Sequence, residues 1–463
     1  MLNRLIGGRP QRTLDGRWPL LAPLAALLIF ASPSSVSAGN TDGVLLGDDA
    51  SLMGGAVTAV VNDGSALWYN PAGLMAVNRN SVDFSLTAYS LRLYRIPEAV
   101  IGGGESANAD ANEVTVIPSA FSYVRTTKSG LRLAFGVFTT AQEDYSQRSD
   151  LSFAEGTTGE ESDWLITLAN RLTLYHGVVG IGWSANPRLH FGVTADLSYV
   201  SFIQSGQIGG GLSAGGLVGQ ALFAATESNR TSISGLGVRL GAGLLWKPTD
   251  ELSIGAAFQT ASYVVFSTVS QQSVASFAVA PPDTPGTILF EVSDANASGA
   301  GFDQFEPYRW RLGIAYQFSR VLLSVDADVQ LDQRVADDGW NASYNGRVGL
   351  LIRISDAVAL GLGGFTDRST LGEAPTEFGE SVLDFYGFTA GVKLSKTRLF
   401  AETEDADSIT FETTIAFRAA FGSGEFSGFE VLDDLADDEI LTPILTNTRI
   451  TELSIYLGAG IRF

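Results

Sequence analysis

The sequence predicts an all-β protein: a 14-stranded antiparallel transmembrane β-barrel with an N-terminal hatch inside its lumen. Segments in which every second residue is apolar recur along residues 81–463, and short and long connections alternate between them. Although 45% of the residues are hydrophobic, no apolar run beyond residue 38 reaches the length of a membrane-spanning helix. A strand crosses the hydrocarbon with only about 9–11 residues and must be paired on both edges in lipid, so these segments predict a closed barrel.

Residues 1–38 have the order of a secretory signal peptide. Four arginines are followed by an apolar stretch from Trp18 to Ala31 and by small residues that end at Ala38. The apolar stretch is too short for a spanning helix. We therefore expect cleavage after Ala38, a hatch over residues 39–80 and a barrel with long extracellular loops over residues 81–463, in the outer membrane of a bacterium.

The strands are predicted from alternation with a period of two. In the segment 307–318 the outward positions carry aromatic residues at both ends and aliphatic residues between them, as expected of a strand that crosses two membrane interfaces. The opposite face carries Arg309 and Arg311, which require a polar lumen. The fourteen segments that pass this test are residues 81–94, 116–127, 131–140, 174–185, 188–204, 233–247, 251–267, 307–318, 321–332, 343–353, 357–366, 384–394, 410–422 and 449–463.

The connections between these segments differ in length on the two sides of the predicted barrel. Tight turns are expected at 128–130, 186–187, 248–250, 319–320 and 355–356, with long loops between them. Short periplasmic turns and longer extracellular loops are typical of outer-membrane barrels. The link 395–409 is too long for a tight turn, so one of its flanking strands is expected to extend into it.

The chain ends on an alternating segment whose last residue is Phe463. An aromatic C-terminus on an amphipathic strand resembles the signal by which outer-membrane barrels are recognised for assembly. The barrel assembly machinery is therefore an expected partner, together with the lipid and lipopolysaccharide of the outer membrane.

Residues 39–80 lack sustained alternation and cannot form a wall strand. They contain the string Asp63-Gly-Ser-Ala-Leu-Trp-Tyr-Asn70-Pro71-Ala72-Gly73, which resembles the hatch motif of the FadL/TodX family. The resemblance implies a 14-stranded outer-membrane transporter of long-chain fatty acids or aromatic hydrocarbons with an N-terminal hatch. It assigns the hatch motif to Asn70, Pro71 and Ala72.

The same motif has a direct physical interpretation. Pro71 fixes its own φ and disfavours the helical region for Asn70, whose side chain can bond to neighbouring backbone. This predicts a rigid corner in the chain. An ordinary Asn-Pro turn is the alternative.

Two predicted extracellular loops, 205–232 and 268–306, are unusually apolar. In the resembling family the third and fourth such loops form the groove where substrate first binds, and these are the third and fourth long loops here. Simple packing of the loops on their neighbours is the alternative. The candidate substrate contacts in them are Leu217, Leu222, Phe223, Phe277, Leu289 and Phe290.

Three arginines are predicted to face the lumen: Arg239, Arg309 and Arg311. A guanidinium group matches a carboxylate, so these residues are candidates to meet an acidic head group. Alternatively, they neutralise lumenal acids, for which Asp196, Asp326 and Asp328 are the candidates.

Composition excludes several classes of function. The formal charge of −21 argues against a nucleic-acid partner, and a chain with no cysteine and two histidines gives no basis for a thiolate or multi-histidine metal site. No metal and no cofactor is expected. The acidic run 433–439 could bind a divalent ion, but it lacks a calcium-loop spacing and is better interpreted as a solvated surface.

Passive transport of a hydrophobic small molecule is the function that the resemblance implies. A barrel enzyme is one alternative, but His190 and Ser198, the nearest pair on one strand face, lie eight residues apart, about 26 Å at strand rise. His176 would need a serine from another strand. An adhesin or structural barrel is the second alternative, and it would carry polar loops.

Overall fold

The computed structural model describes residue 40 and residues 43–102, 104–154, 160–214, 222–280, 289–299, 306–335, 338–370, 381–399, 408–431 and 441–463. Within these ranges the chain forms one large antiparallel sheet that closes on itself. Its first strand, β1, pairs with β4 on one edge and with the last strand, β20, on the other. The predicted signal peptide lies outside the described residues.

The wall contains fourteen strands, as predicted. Two of them are interrupted: β9 continues into β10, and β11 continues into β12. The wall strands are β1 (Ser81–Arg95), β4 (Ala111–Thr126), β5 (Arg132–Ala154), β6 (Glu160–Asn186), β7 (Leu189–Ala214), β8 (Leu222–Trp246), β9 (Leu252–Gln259) with β10 (Tyr263–Ala280), β11 (Leu289–Gly299) with β12 (Arg309–Phe318), β13 (Val321–Gln330), β16 (Ser343–Ser355), β17 (Val358–Asp367), β18 (Ser381–Leu399), β19 (Ser408–Val431) and β20 (Leu441–Arg462). Two small hairpins lie outside the wall: β2 (Val100–Gly102) with β3 (Glu105–Ala107), and β14 (Gln333–Val335) with β15 (Asp338–Trp340).

The two faces of the wall differ as alternation requires. On β12 the outward side chains Trp310 and Leu312 are 45% and 56% exposed, whereas Arg309 and Arg311 between them are buried. Apolar side chains exposed on one face of a closed sheet form the surface that a bilayer covers. No helix among the described residues is long and apolar enough to cross a membrane.

The prediction that 205–232 and 268–306 are loops is wrong for most of their length. β7 and β8 remain paired from Leu189–Trp246 to Ser213–Leu222, and β10 and β11 pair from Val269–Gly299 to Val279–Leu289. These strand ends are rich in Ser, Thr, Gln and Gly. Pairing continues there without apolar alternation, because a sheet beyond the bilayer can be solvated on both faces.

The link 395–409 was expected to contain the extension of a flanking strand, and it does. Both neighbours extend into it, since β18 continues to Leu399 and β19 begins at Ser408. Only residues 400–407, which lie outside the described ranges, remain between the two strands.

Residues 43–79, called here the N-terminal segment, contain two short helices and a 3-10 helix: α1 (Asp48–Leu52), α2 (Ala66–Tyr69) and η1 (Pro71–Ala76). The segment lies against inward-facing wall residues and shares a hydrophobic core with them, including Phe138 and Tyr456. It is anchored to strands spread around the wall: Asn70 bonds to β8, Thr58 to β13 and Asp49 to β18.

A second hydrophobic core, called here the mouth cluster, lies at the end of the barrel with the long connections. The connection between β1 and β4 folds inward there, and β2 pairs in parallel with β19. The cluster consists of Ile96, Ala99, Val100, Ala109, Ala111, Tyr145, Leu151, Ile166, Leu168, Phe426 and Phe429.

Candidate functional site

The Asn70–Pro71 corner is built as the sequence suggested. Asn70 has extended backbone angles (φ −160°, ψ 105°) and caps η1, in which Pro71 is the first residue. Its Oδ1 accepts a hydrogen bond from Ala72 N at 3.1 Å, while its Nδ2 donates to Thr58 O at 2.8 Å and to Leu244 O at 3.0 Å. One buried amide thus joins two parts of the N-terminal segment to the wall.

Two wall glycines make room for this corner. A Cβ atom at Gly192 would overlap the backbone of Pro71, and one at Gly243 would overlap the side chain of Asn70. The absence of a side chain at both positions therefore lets the corner approach the backbone of β7 and β8 closely.

Trp68 is the aromatic centre of the contact between the N-terminal segment and the wall. The guanidinium carbons of Arg239 and Arg311 lie 4.7 and 5.5 Å from its ring centroid, within the range of a cation–π interaction. Its carbonyl oxygen accepts hydrogen bonds from Arg311 Nη1 at 2.7 Å and from Gln259 Nε2 at 3.1 Å. The ring is 3% exposed, so these contacts are shielded from water.

The three predicted lumenal arginines are all buried and ion-paired. Arg239 binds Asp196 at 2.9 Å, and Arg309 and Arg311 both bind Asp328, at 2.5 and 3.2 Å. These are two of the three acids expected in the alternative interpretation. The third, Asp326, accepts a hydrogen bond from Thr58 N at 2.8 Å. A ligand role for the arginines stays a prediction.

His176 is paired with a threonine from another strand, not with the serine that a hydrolytic site was expected to need. Its Nε2 lies 3.0 Å from Thr140 Oγ1 on β5, and its Nδ1 lies 2.9 Å from Asp196 Oδ2 on β7. A hydroxyl, an imidazole and a carboxylate in this order form a catalytic triad when a substrate can reach the hydroxyl. Here all three groups are buried, Asp196 is also bound by Arg239, and the His176 ring packs on Trp68 at 4.9 Å. The arrangement therefore serves to hold wall and N-terminal segment together.

The other histidine does not approach the serine considered above. His190 Nδ1 lies 2.7 Å from Ser184 Oγ, whereas Ser198 Oγ lies 3.2 Å from Ser262 Oγ. Among the described residues there is also no group of three side chains suited to a metal ion.

Helix α1 carries two carboxyl groups whose pKa values are shifted in opposite directions. Burial raises the pKa of Asp48 to about 6, with Lys393 opposing the shift and the neighbouring carboxylates of Asp63 and Asp49 adding to it. The pKa of Asp49 is lowered: burial raises it, but the ammonium group of Lys393, 3.1 Å away, outweighs that effect together with Arg462 and Arg353. The N-terminal segment thus contains a carboxyl group that changes charge near pH 6.

The wall is not evenly hydrogen-bonded. Pairing between β4 and β5 ends at Ala120–Phe138, although β4 includes nine further residues on one side and β5 sixteen on the other. At this point β5 has a bulge at Thr140, between Thr139 and Ala141, and β4 contains Pro118, which has no N–H to donate. The backbone ladder between these two strands is therefore interrupted.

A small cavity lies on the inner side of this region, between the N-terminal segment and β1, β4, β19 and β20. Its water-accessible volume is about 20 Å³, which is room for a single water molecule. A hydrophobic molecule could therefore pass through this cavity only if the wall or the N-terminal segment moved. The lining residues are Gly43, Leu45, Ser51, Thr87, Ser90, Ile117, Ala416, Phe417, Arg418, Ser454 and Tyr456.

An ion-paired layer separates this cavity from the mouth cluster. Glu452 is bound by both Arg418 and Arg92, and Arg92 also approaches Glu113 and Glu143 at 3.8 and 3.3 Å. All of these side chains except that of Glu143 are buried.

The predicted apolar substrate contacts fall partly outside the described residues. Leu217 is not among them. Leu222, Phe223, Phe277, Leu289 and Phe290 lie on strands near the far ends of two hairpins, where Phe223 pairs with Leu212 and Phe277 with Glu291. Their role in a binding groove stays a prediction, and the acidic run 433–439 lies outside the described part of the chain.

Phe463 follows β20 directly. Its N–H donates to Asn80 O at 2.9 Å, which joins the end of the barrel to the start of β1, and its side chain is 47% exposed. An exposed terminal aromatic is compatible with the predicted assembly signal, which stays untested.

Several residues of this site were given no role from the sequence. Trp68 stands in a segment without periodicity, and Thr140 and His176 become neighbours only through strand pairing. Arg418 could have been found by extending the search for lumenal cations to β19, where it alternates with Phe417.

The fold and these contacts define a class: a 14-stranded transmembrane barrel whose inward face packs on its own N-terminal segment. No protein-family model matches the chain, and no curated protein matches it. Solved structures match over most of its length. A Pseudomonas aeruginosa FadL homologue is 13% identical with a TM-score of 0.59, covering 92% of this chain and 100% of that one.

Two toluene transporters are similar to the same extent. TodX from P. putida is 16% identical with a TM-score of 0.55, and TbuX from Ralstonia pickettii is 14% identical with a TM-score of 0.51. Each match covers 92% of this chain and 99% of the other. The chain therefore shares the barrel fold of these three proteins.

Proposed function

We propose that this protein is an outer-membrane channel of the FadL/TodX type that takes up small hydrophobic molecules passively. In this proposal residues 1–38 are a cleaved signal peptide, residues 39–80 are the hatch and residues 81–463 form the barrel. Support comes from the hatch-like string at Asp63–Gly73, from the shared fold and from the buried attachment of the N-terminal segment to the wall.

The observation that carries the proposal is the interruption between β4 and β5. A barrel that is closed along its whole length and filled from within offers no path for an apolar molecule. The ladder here ends at Ala120–Phe138, next to a small cavity and facing lipid through outward residues such as Val116, which is 52% exposed. An apolar ligand that entered from the mouth could leave sideways into the bilayer without crossing a polar periplasmic opening.

The N-terminal segment would close the remaining route through the lumen. Its Asn70–Pro71 corner and Trp68 are held by β7, β8 and β12. Because these contacts are buried and hydrogen-bonded, the segment would remain docked while ligand passes beside it. Leu217, Leu222, Phe223, Phe277, Leu289 and Phe290 remain the proposed first contacts, at the far ends of the hairpins.

The proposal is tested by uptake of radiolabelled toluene and of a radiolabelled long-chain fatty acid by cells that lack their own transporter. Expression of the chain should raise uptake of at least one of them several-fold. Replacement of both Asn70 and Pro71 by alanine should change that uptake while the barrel still assembles, as shown by heat-modifiable migration in gels. An assembled wild-type barrel that raises uptake of no apolar compound would reject the proposal.

A further inference from the structure

The mouth cluster contains polar atoms that are buried without a partner. Gln147 is 4% exposed, and neither its Nε2 nor its Oε1 has a hydrogen-bond partner in the described structure. The same holds for the hydroxyl of Tyr145, which is 7% exposed, and for Oδ1 of Asn170. Such atoms are rare in proteins, because burial removes their bonds to water at a cost in free energy.

These atoms belong to one patch. Tyr145 and Asn170 are directly opposite each other on β5 and β6, and Gln147 is opposite Leu168. Tyr145 and Gln147 are two residues apart on one strand and so point to the same face. The patch therefore holds two acceptor oxygens, one amide donor and one hydroxyl within a single apolar surrounding.

The surroundings are apolar, and small side chains cover part of them. Leu151, Ile166 and Leu168 flank the patch on the hairpin, and the connection that lies across it contributes small side chains, including Ala99 and Ala109. The Tyr94 ring packs on Tyr145 edge to face at 4.7 Å. The apolar part of a ligand could displace these small side chains, because each of them buries only a small area.

The charges at the margin favour an uncharged head group. The nearest arginine layer is already neutralised, since Arg92 binds Glu452 and approaches Glu113 and Glu143. The carboxylate of Asp110, next to Ala109 in the cluster, accepts a bond from Ile96 N. An ionised carboxylate placed here would lose its hydration without gaining a free cation.

We infer that the mouth cluster is a binding site for an apolar molecule that carries one uncharged hydrogen-bonding group, an amide or a hydroxyl, which Gln147, Tyr145 and Asn170 receive. This inference rests on the proposed transport function and narrows its substrate class. The unpartnered atoms are then the part of the site that is satisfied only when ligand is bound. The unpartnered atoms lower the free energy of unfolding of the protein without ligand, and a bound ligand would offset this cost.

The test uses four probes of equal chain length: decane, 1-decanol, decanamide and decanoate. Their dissociation constants are measured by titration calorimetry on the full chain in lipid nanodiscs, with empty nanodiscs subtracted. We expect decanamide and 1-decanol to bind at least fivefold more tightly than decane, and decanoate to bind more weakly than decanamide.

The decisive variants are Gln147→Leu and Tyr145→Phe. Each should bring the ratio of the dissociation constants of decane and decanamide towards one. Gln147→Leu should also leave the melting temperature unchanged or raised, since it removes an unsatisfied buried amide. Gln207→Leu is the matched control, because Gln207 is exposed on β7 and the same change there should alter neither quantity.

Two outcomes would overturn the inference: equal binding of decane and decanamide by the wild type, or a lower melting temperature in Gln147→Leu with an unchanged preference. The second would show that the amide has a structural role. Failure of the transport proposal is separate, because it would appear as no rise in the cellular uptake of any apolar compound, whatever the binding preference.

Discussion

The guanidinium carbon of Arg239 lies 4.7 Å from the centroid of the Trp68 ring. Arg239 is at the same time bound to Asp196 at 2.9 Å and to Glu306 at 3.1 Å, so its position is fixed from the wall side. The ring of Trp68 also contacts His176 and Arg311, which hold it in place. Through these three contacts Trp68 couples the N-terminal segment to three wall strands, β6, β8 and β12.

Replacement of Trp68 by leucine should loosen the N-terminal segment. The change removes the cation–π and ring contacts and leaves a cavity, which we expect to cost about 2–4 kcal/mol. Hydrogen exchange of residues 43–79 should then accelerate while the wall strands stay protected. Trp183→Leu is the control, since Trp183 lies on the outer face against Phe191. Equal protection of the segment in wild type and Trp68→Leu would contradict the assignment.

A methyl group at Gly192 should displace the Asn70–Pro71 corner. Its Cβ would overlap the Pro71 backbone, which cannot move aside as a flexible side chain could. We expect Gly192→Ala to increase entry of a hydrophobic fluorescent probe into whole cells several-fold. Gly206→Ala on the same strand meets no atom within 4 Å and should behave as wild type. If both variants behave alike, close approach at Gly192 does not hold the corner.

Acidification from pH 7.5 to pH 5 should stabilise the docked N-terminal segment through Asp48. Its folded pKa of about 6 lies above the unfolded value of 3.8, so the folded state holds the proton more tightly and gains stability as pH falls through this range. We expect a gain of about 1–2 kcal/mol.

The pH effect is assigned by comparison with Asp48→Asn. The pKa of Asp49 is lowered, so its contribution to the stability of the protein is lost only as pH falls below the unfolded pKa. Asp49 therefore adds little to the change in stability above pH 5. Asp63, whose pKa burial also raises, is still present in Asp48→Asn and keeps a contribution of the same sign. The shift in melting temperature between pH 7.5 and 5 should therefore be smaller in Asp48→Asn; an identical shift would assign the effect to other groups.

The wall was predictable because its signal is local. In β12, each outward residue faces lipid and each inward residue faces the lumen, so hydropathy reports orientation residue by residue. That signal disappears at the far ends of β7, β8, β10 and β11, where polar and apolar residues do not alternate regularly, and those ends were predicted as loops.

The site was less predictable because it depends on pairing between distant strands. The Asn70–Pro71 corner follows from the backbone preferences of two adjacent residues. By contrast, the contact between Thr140 and His176 depends on the register of β5 on β6, and the unpartnered amide of Gln147 depends on what covers it. Neither relationship has a sequence period.

In the proposed function, hydrophobic molecules leave through the interruption between β4 and β5. The most direct measurement is toluene uptake by cells that carry a chain lacking Thr140, the residue of the β5 bulge. Its deletion joins Thr139 and Ala141 in continuous register with β6 and should let β4 and β5 pair further. Thr140→Val keeps the bulge and removes only the hydroxyl, so it is the control.

We predict that deletion of Thr140 reduces uptake to the level of cells without the protein, with an assembled barrel, while Thr140→Val retains most of it. Unchanged uptake in the assembled deletion variant would contradict a lateral route and place the path through the N-terminal segment instead.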